Sequence, residues 1–297
     1  MKIKILIPIY NDWRSVFELL KNIDQQINDL NDEASVLIVN DGSNEEKSDD
    51  NFEFNNIKSI KIINMKENKG HARCNATGLK HIFEKEDFDY VIPMDGDGED
   101  RPEEIKLLIE KSKDYPDHVI TANRVKRSEG LLFKLCYETH KLLTLIFTGQ
   151  NIKFGNFTLL PKSIVEKMVN EKATWNSFSG SLCKVSKDRK SIPSIRGTRY
   201  FDPSKMSFSN LIQHSLSIIS VFKFTWLARS IIFLLVYCYF ISNFISLITL
   251  IPVVVIVILN AMIFTLSARE NLDEYKNSLS NISNIDTIKE EKFKNLK

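Results

Sequence analysis

From Ser230 to Ala268 the chain runs 39 residues without an Asp, Glu, Lys, Arg or His, and Arg229 and Arg269 bracket the run. One helix of that length would be about 58 Å long, against a hydrocarbon core about 30 Å thick. Two spans fit better than one. Ser242, Asn243, Ser246 and Pro252 supply polar or helix-breaking positions for the reversal. The run predicts spans over 228–245 and 248–267. Lys223 and Arg229 precede the pair and Arg269 follows it. The positive-inside rule then puts both ends on the cytoplasmic side. A buried core hairpin of a soluble protein is the alternative, disfavoured because so long an uncharged stretch is rare in soluble cores. The apolar stretch within the first ten residues is too short for a signal peptide.

The remainder has ordinary globular composition: 297 residues in all, 43% hydrophobic, 26% charged, formal net charge +2. Near-balanced charge gives no global case for nucleic acid, and the basic segments lack interleaved aromatic platforms. Cys74, Cys136, Cys183 and Cys238 are scattered, without a CxxC pair, which excludes a disulfide scaffold or zinc module and fits a reduced compartment.

The first 125 residues alternate two periods. Short β-branched runs predict strands over 3–9, 35–40, 57–63, 90–94 and 118–122. Helical patterns lie between them over 13–27, 71–83 and 102–113. Such alternation implies a mostly parallel sheet with helices on both faces. Pro93 cannot donate within a central ladder, so it belongs at a strand end or a bulge. In these sheets ligands bind beyond the carboxyl ends of the strands. The loops there are Tyr10-Asn11-Asp12, Asp41-Gly42-Ser43 and Asp95-Gly96-Asp97-Gly98-Glu99-Asp100. One acidic loop is commonly a solvated turn; three on one rim point to a site.

Charge is polarised along the chain. Residues 94–104 hold six carboxylates and one Arg, whereas 184–205 hold seven cations and two aspartates. A basic segment just before apolar spans reads either as a contact with anionic head groups or as a phosphate site using bidentate arginine. Asp95 and Asp97, two residues apart in a Gly-containing turn, can face one hard cation such as Mg²⁺ or Mn²⁺. Such a cation typically also binds substrate phosphates.

These pieces resemble family-2 glycosyltransferases of the GT-A fold. The match is carried by Ile7-Pro8-Ile9-Tyr10-Asn11-Asp12, Val39-Asn40-Asp41-Gly42-Ser43, Asn68-Lys69-Gly70 and Asp95-Gly96-Asp97-Gly98-Glu99-Asp100-Arg101-Pro102-Glu103. Asn123-Arg124-Val125-Lys126-Arg127, Gly155-Asn156-Phe157 and Arg199-Tyr200-Phe201-Asp202-Pro203-Ser204-Lys205 narrow it to the polyprenyl-phosphate sugar transferases. Departures are Asp12 for Glu, Asn40 for Asp, Gly98-Glu99 for Leu-Gln, Asn156 for Asp and Asp202 for Gly.

The resemblance implies a Rossmann-like GT-A domain followed by a two-helix transmembrane hairpin. It divides the chain into a cytosolic catalytic domain over 1–206, a juxtamembrane amphipathic helix over 207–227, transmembrane helices over 228–267 and a charged cytosolic tail over 268–297. The tail reads as a solvated helix or a mobile segment. Pro8, Tyr10, Asp12, Asp41, Gly70 and Asp95 would bind the nucleotide sugar, with Asp41 accepting from the base. Asp95, Asp97 and Glu99 would hold Mg²⁺ or Mn²⁺. Arg124, Arg127, Arg199, Ser204 and Lys205 would meet the lipid phosphate, and Asp95, Asp97, Arg124 and Arg199 would carry catalysis. The implied partners are a UDP-sugar or GDP-sugar, UDP favoured, together with a polyprenyl phosphate and the inner-membrane bilayer. A homo-oligomer stays open.

The resemblance implies an inverting transfer from the nucleotide sugar to a polyprenyl phosphate at the cytoplasmic membrane face, with a glycan or glycolipid hydroxyl as the alternative acceptor. A hydroxyl acceptor needs a base, and 173–180 offers no carboxylate, which leaves Glu166 or Glu171. A phosphate acceptor is already ionised at neutral pH. An inactive membrane scaffold of the same fold is a further alternative, opposed by the intact Asp95/Asp97 pair.

Overall fold

The computed structural model describes residues 1–47, 53–126, 131–201 and 207–290. The chain opens with β1 (Lys2–Ile9), α1 (Trp13–Gln26), β2 (Glu33–Asn40), β3 (Ser59–Met65), α2 (His71–Lys85), β4 (Tyr90–Pro93), α3 (Glu103–Asp114) and β5 (Val119–Lys126). It continues through α4 (Leu131–Thr148), β6 (Thr158–Pro161), α5 (Lys162–Val169), α6 (Phe178–Val185), β7 (Arg189–Ile195) and α7 (Phe208–Ser220). Last come α8 (Lys223–Ile241), α9 (Leu247–Ser267), α10 (Leu272–Lys276) and β8 (Ile282–Glu290).

The eight strands form one sheet in the order β7-β5-β6-β4-β1-β2-β3-β8. All but β6 and β8 run the same way. Strand alternation sorts the core into two layers. Ile3, Ile5 and Ile7 of β1 pack with Trp13, Phe17 and Leu108 from α1 and α3. Leu6 points the other way, toward Leu79 of α2, Ile164 of α5 and Leu182 of α6. Pro93 is the last residue of β4, and the Met94 amide resumes the ladder to Leu6 O at 3.0 Å.

The chain order reverses direction between β1 and β4, which opens a crevice at their carboxyl ends. The loops carrying Asp12 and Asp95 flank it.

α8 and α9 are about 28 and 31 Å long at 1.5 Å per residue, the length of a bilayer core. Phe224, Leu235, Tyr239, Phe240, Ile248 and Val257 lie exposed on them. Only 11% of the most apolar stretch of each is buried, so the pair is not a buried core hairpin. The helices meet through Ser230 and Asn260, 3.1–3.2 Å apart, and through Tyr237 Oη donating to Thr249 O at 3.0 Å. At their base Leu143 and Phe147 of α4, Leu216 and Ile219 of α7, Trp226, Ile263 and Leu266 form a third cluster. The second half of α7 is therefore packed, whereas Ile212 in its first half is exposed. On α4, Leu142 and Ile146 are exposed.

The residues after α9 correct the reading of a solvated helix or mobile tail. α10 seats Tyr275, fully buried, against Trp175 with ring centroids 5.5 Å apart. β8 then pairs antiparallel with β3 from Met65↔Ile282 to Ser59↔Glu290. The chain thus leaves the α/β domain into α8 and returns to it after α9.

Candidate active site

β1 ends at Ile9, and Asn11 takes a left-handed φ of +50°. Its side-chain oxygen accepts from the Asn44 and Glu45 amides at 3.0 and 3.2 Å, and its own amide donates to Ser43 Oγ at 2.8 Å. The loops after β1 and β2 are thereby stitched together. Pro8 is buried in the sheet and Tyr10 is exposed at the rim. Asp12 precedes α1 without capping it. Its carboxylate instead accepts from Arg199 Nη2 at 3.1 Å.

Asp41, expected from sequence to accept from the base, is enclosed by backbone at the rim. It is 3% exposed, and its two oxygens accept the Lys69 and Gly70 amides at 2.8 Å each. Burial pushes its pKa up, and those amides oppose the shift. Its role in the structure is to fasten the loop that launches α2. Gly70 sits there at φ +91°, a conformation that favours glycine.

The acidic turn after β4 is drawn inward. Asp95 accepts from Asn156 Nδ2 at 3.1 Å and lies 3.3 Å from His71 Nε2. Burial raises its pKa, but His71 and Arg124 outweigh that and hold it below the usual carboxylate value. The Asp95 amide donates to the buried Asp100 carboxylate at 2.9 Å. Asp100 is pushed up to about 8 by burial and by Asp95, and Asp97 to about 6 by burial and Asp95. Closely spaced carboxylates are oxygen donors of the kind a hard cation takes. Mg²⁺-type sites commonly use one or two carboxylates and complete their shell with water and substrate phosphate. Asp95 and Asp97 fit that description.

Glu99 does not join them: its carboxylate pairs with Arg196. Among the described residues no group of three His, Cys, Asp or Glu side chains gathers as a metal cage.

Three arginines face the turn. Arg124, at the end of β5, lies 3.7 Å from Asp100 and close to Gly155. Arg196 pairs with Glu99, and Arg199 joins Asp97 to Asp12. The segment bearing the last two is laid directly over the turn: Gly197 N donates to Glu99 O at 2.8 Å and Tyr200 N to Asp97 O at 3.0 Å. The Tyr200 ring packs on Gly98, which adopts φ +90°.

Arg127, Ser204 and Lys205 lie outside the described residues. Sequence reasoning assigned no role to His71, Asp100 or Arg196. His71 had a signal, being the first residue of a helix that follows a glycine at the strand-end rim. Asp100 and Arg196 had none beyond belonging to charged runs.

A family model described as Glycosyl transferase family 2 matches residues 4–174. The undecaprenyl-phosphate 4-deoxy-4-formamido-L-arabinose transferase of Klebsiella pneumoniae (strain 342) is 25% identical over 224 residues, covering 71% of this chain and 64% of the relative. A second Klebsiella pneumoniae strain (ATCC 700721 / MGH 78578) has a transferase of the same description with the same identity and coverage. The chain thus spans less than two thirds of the length of these curated relatives.

Among solved structures, mannosyl-3-phosphoglycerate synthase from Rubrobacter xylanophilus superposes with a TM-score of 0.54 at 12% identity, over 74% of this chain and 72% of that one. Glucosyl-3-phosphoglycerate synthase from Mycobacterium tuberculosis, in complex with Mn²⁺, UDP-glucose and phosphoglyceric acid, gives 0.53 at 12% identity, over 77% and 79%. These likenesses show the GT-A fold.

Proposed function

The chain belongs to glycosyl transferase family 2, and from that premise we propose that it moves a sugar from a nucleoside-diphosphate sugar to a polyprenyl phosphate at a membrane surface. One observation carries the reading. Asp95 and Asp97 stand at the crevice between β1 and β4, with Arg124 and Arg199 beside them and two bilayer-length helices in the same chain.

The donor nucleotide lies over the rim formed by Tyr10, Asp12 and the Gly70 turn, with its diphosphate toward Asp95 and Asp97. Asp95 and Asp97 would hold Mg²⁺ or Mn²⁺, which would neutralise the charge growing on the departing diphosphate. Arg199 exchanges its pairing with Asp97 and Asp12 for phosphate oxygens, and Arg124 steers the second phosphate. An acceptor phosphate oxygen, already ionised, attacks the anomeric carbon opposite the leaving group. No base is required, and the configuration inverts. The protein's contribution is positioning two anionic groups against each other.

A hydroxyl acceptor would call for a free carboxylate. Glu171 is committed to the Ala173 amide at 3.1 Å and to Lys184 at 2.9 Å. Glu166 is exposed on α5. Residues 173–180, which correspond to the loop where family members acting on a sugar hydroxyl usually carry an acidic pair, are buried, and Asn176 donates to Ser220 Oγ at 2.9 Å.

α8 and α9 cross the bilayer as a hairpin. Because β8 returns to the same sheet, both ends share one face, and Lys223, Arg229 and Arg269 make that face cytoplasmic.

The test uses detergent-purified protein, Mn²⁺, polyprenyl phosphate and a panel of radiolabelled nucleotide sugars. Label from one donor entering the organic phase, and lost with EDTA, supports the reading. Nucleotide release only with a saccharide acceptor moves the assignment to a hydroxyl acceptor. No binding of metal or nucleotide makes the chain a scaffold.

A further inference from the structure

A second basic recess lies away from the acidic turn. It is a cavity of about 220 Å³ lined by Lys153, Lys187, Arg189, Asn123, Ser191 and Thr121 among others, and no carboxylate lines it. Thr121 and Ser191 are paired neighbours on β5 and β7. Side chains alternate along β5: Arg124 faces Asp100, so Asn123 faces the other way, into the recess. The recess and the acidic turn therefore occupy opposite faces of one strand.

Its groups are arranged to receive an anion. Asp188, beside Lys187, is turned to His118 and Lys190 at 3.1 and 3.0 Å. No ion pair among the described residues engages Lys153, Lys187 or Arg189. The Arg189 guanidinium is held over the Phe154 ring, 5.6 Å from its centroid, and donates to Ser186 O. Thr121 Oγ1 lies within hydrogen-bond distance of Lys190 O at 3.2 Å and of the Asn123 carboxamide at 3.1 Å, and that carboxamide lines the recess with an NH₂ donor to offer.

Three cations, an amide donor and the Ser191 hydroxyl match the three oxygens and near-double charge of a phosphomonoester. The connection that supplies Asn151, Lys153 and Phe154 begins at Gly149, against the Arg229 guanidinium, and ends at Gly155, against Arg124. It runs from the base of α8 to the edge of the reaction site.

We propose that this recess is a second phosphate-binding site, distinct from the one that handles donor and acceptor, and that it takes a terminal phosphate group. Two sources share that chemistry: a phosphatidic-acid-type head group at the membrane surface, or free phosphate.

The experiment is protection of lysines from an amine-reactive reagent, read by mass spectrometry on the full chain in a neutral detergent. The probes are dihexanoyl phosphatidic acid, inorganic phosphate and dihexanoyl phosphatidylcholine. Lys66, at the far edge of the sheet beside β8, is the internal reference. Labelling of Lys153 and Lys187 is expected to slow about fivefold with probe at roughly four times its Kd, since the free fraction is 1/(1 + [L]/Kd). Lys66 stays unchanged. Protection by both phosphate probes establishes a site that reads phosphate itself. Protection by phosphatidic acid alone makes it a lipid head-group site. Protection by phosphatidylcholine to the same extent, equal slowing at Lys66, or no protection by any probe overturns the proposal. As a second measurement, Arg189→Gln leaves both lysines in place and is expected to weaken protection at them; unchanged protection also overturns it.

Discussion

Gly98→Ala adds one methyl group to the turn that carries Asp97. Gly98 sits at φ +90°, and a Cβ there would lie 2.6, 2.7 and 2.8 Å from three ring atoms of Tyr200. The backbone strain alone costs roughly 1–2 kcal/mol. Ordinary contact begins at 3.4 Å, so the ring must retreat by about 0.8 Å to recover normal packing. That retreat breaks the 3.0 Å hydrogen bond from Asn22 Nδ2 to Tyr200 Oη, worth about 0.5–1.5 kcal/mol. The expected destabilisation is about 1.5–3.5 kcal/mol. Arg199 precedes Tyr200, so it moves with the ring, and a displacement near 1 Å can cost about 100-fold in rate. Chemical denaturation of the detergent-solubilised chain reads the first effect, and transfer of labelled sugar to polyprenyl phosphate reads the second. In a Tyr200→Ala background the steric part vanishes, and Gly98→Ala is expected to cost only about 1–2 kcal/mol. Equal costs in the two backgrounds, or a Gly98→Ala protein retaining activity within about twofold, would refute the packing argument.

Three other outcomes are expected. Asp97→Asn should abolish transfer while leaving the denaturation midpoint near that of the parent; retained full activity would remove Asp97 from the metal site. Tyr275→Phe should be neutral or slightly stabilising, because the buried Tyr275 hydroxyl has no hydrogen-bond partner among the described residues. Tyr275→Ala, by contrast, should cost about 3–5 kcal/mol through the cavity it leaves against Trp175; thermal denaturation separates the two. The His81 pKa is held below its ordinary 6.5 chiefly by burial. As pH falls below 6.5 the unfolded chain takes up a proton that the folded chain does not, so stability declines until the folded-state pKa is passed. His81→Gln should flatten that part of the stability–pH curve, and an identical slope in both proteins would show the loss to arise elsewhere.

Local pattern made much of the architecture legible. β-branched runs and 3.6-residue faces marked β1, β2, β4, α1, α2 and α3, because each signal lies within one element. The uncharged stretch from Ser230 to Ala268 marked α8 and α9 for the same reason. The spacing of Asp95 and Asp97, on a turn after a strand, marked the centre of the candidate site. β8 escaped because Ile282, Ile285 and Ile288 recur every third residue rather than every second. Irregular register against β3, with shifts at Ile60/Lys61 and Asn64/Met65, accommodates that spacing.

The carboxylates show where sequence alone stops. Asp41, Glu99 and Asp100 are chemically similar and lie in acidic loops on one rim, so nothing local distinguishes them from Asp95 or Asp97. Their roles were decided by what the fold brought to them. Two backbone amides from the α2 launch loop closed Asp41, Arg196 claimed Glu99 from 97 positions away, and the Asp95 amide and Arg124 engaged Asp100. Periodicity is a property of neighbours along the chain, and it determined the elements and the membrane-length hairpin. A carboxylate's charge state and free valence depend on burial and on distant cations, which only the assembled sheet determines.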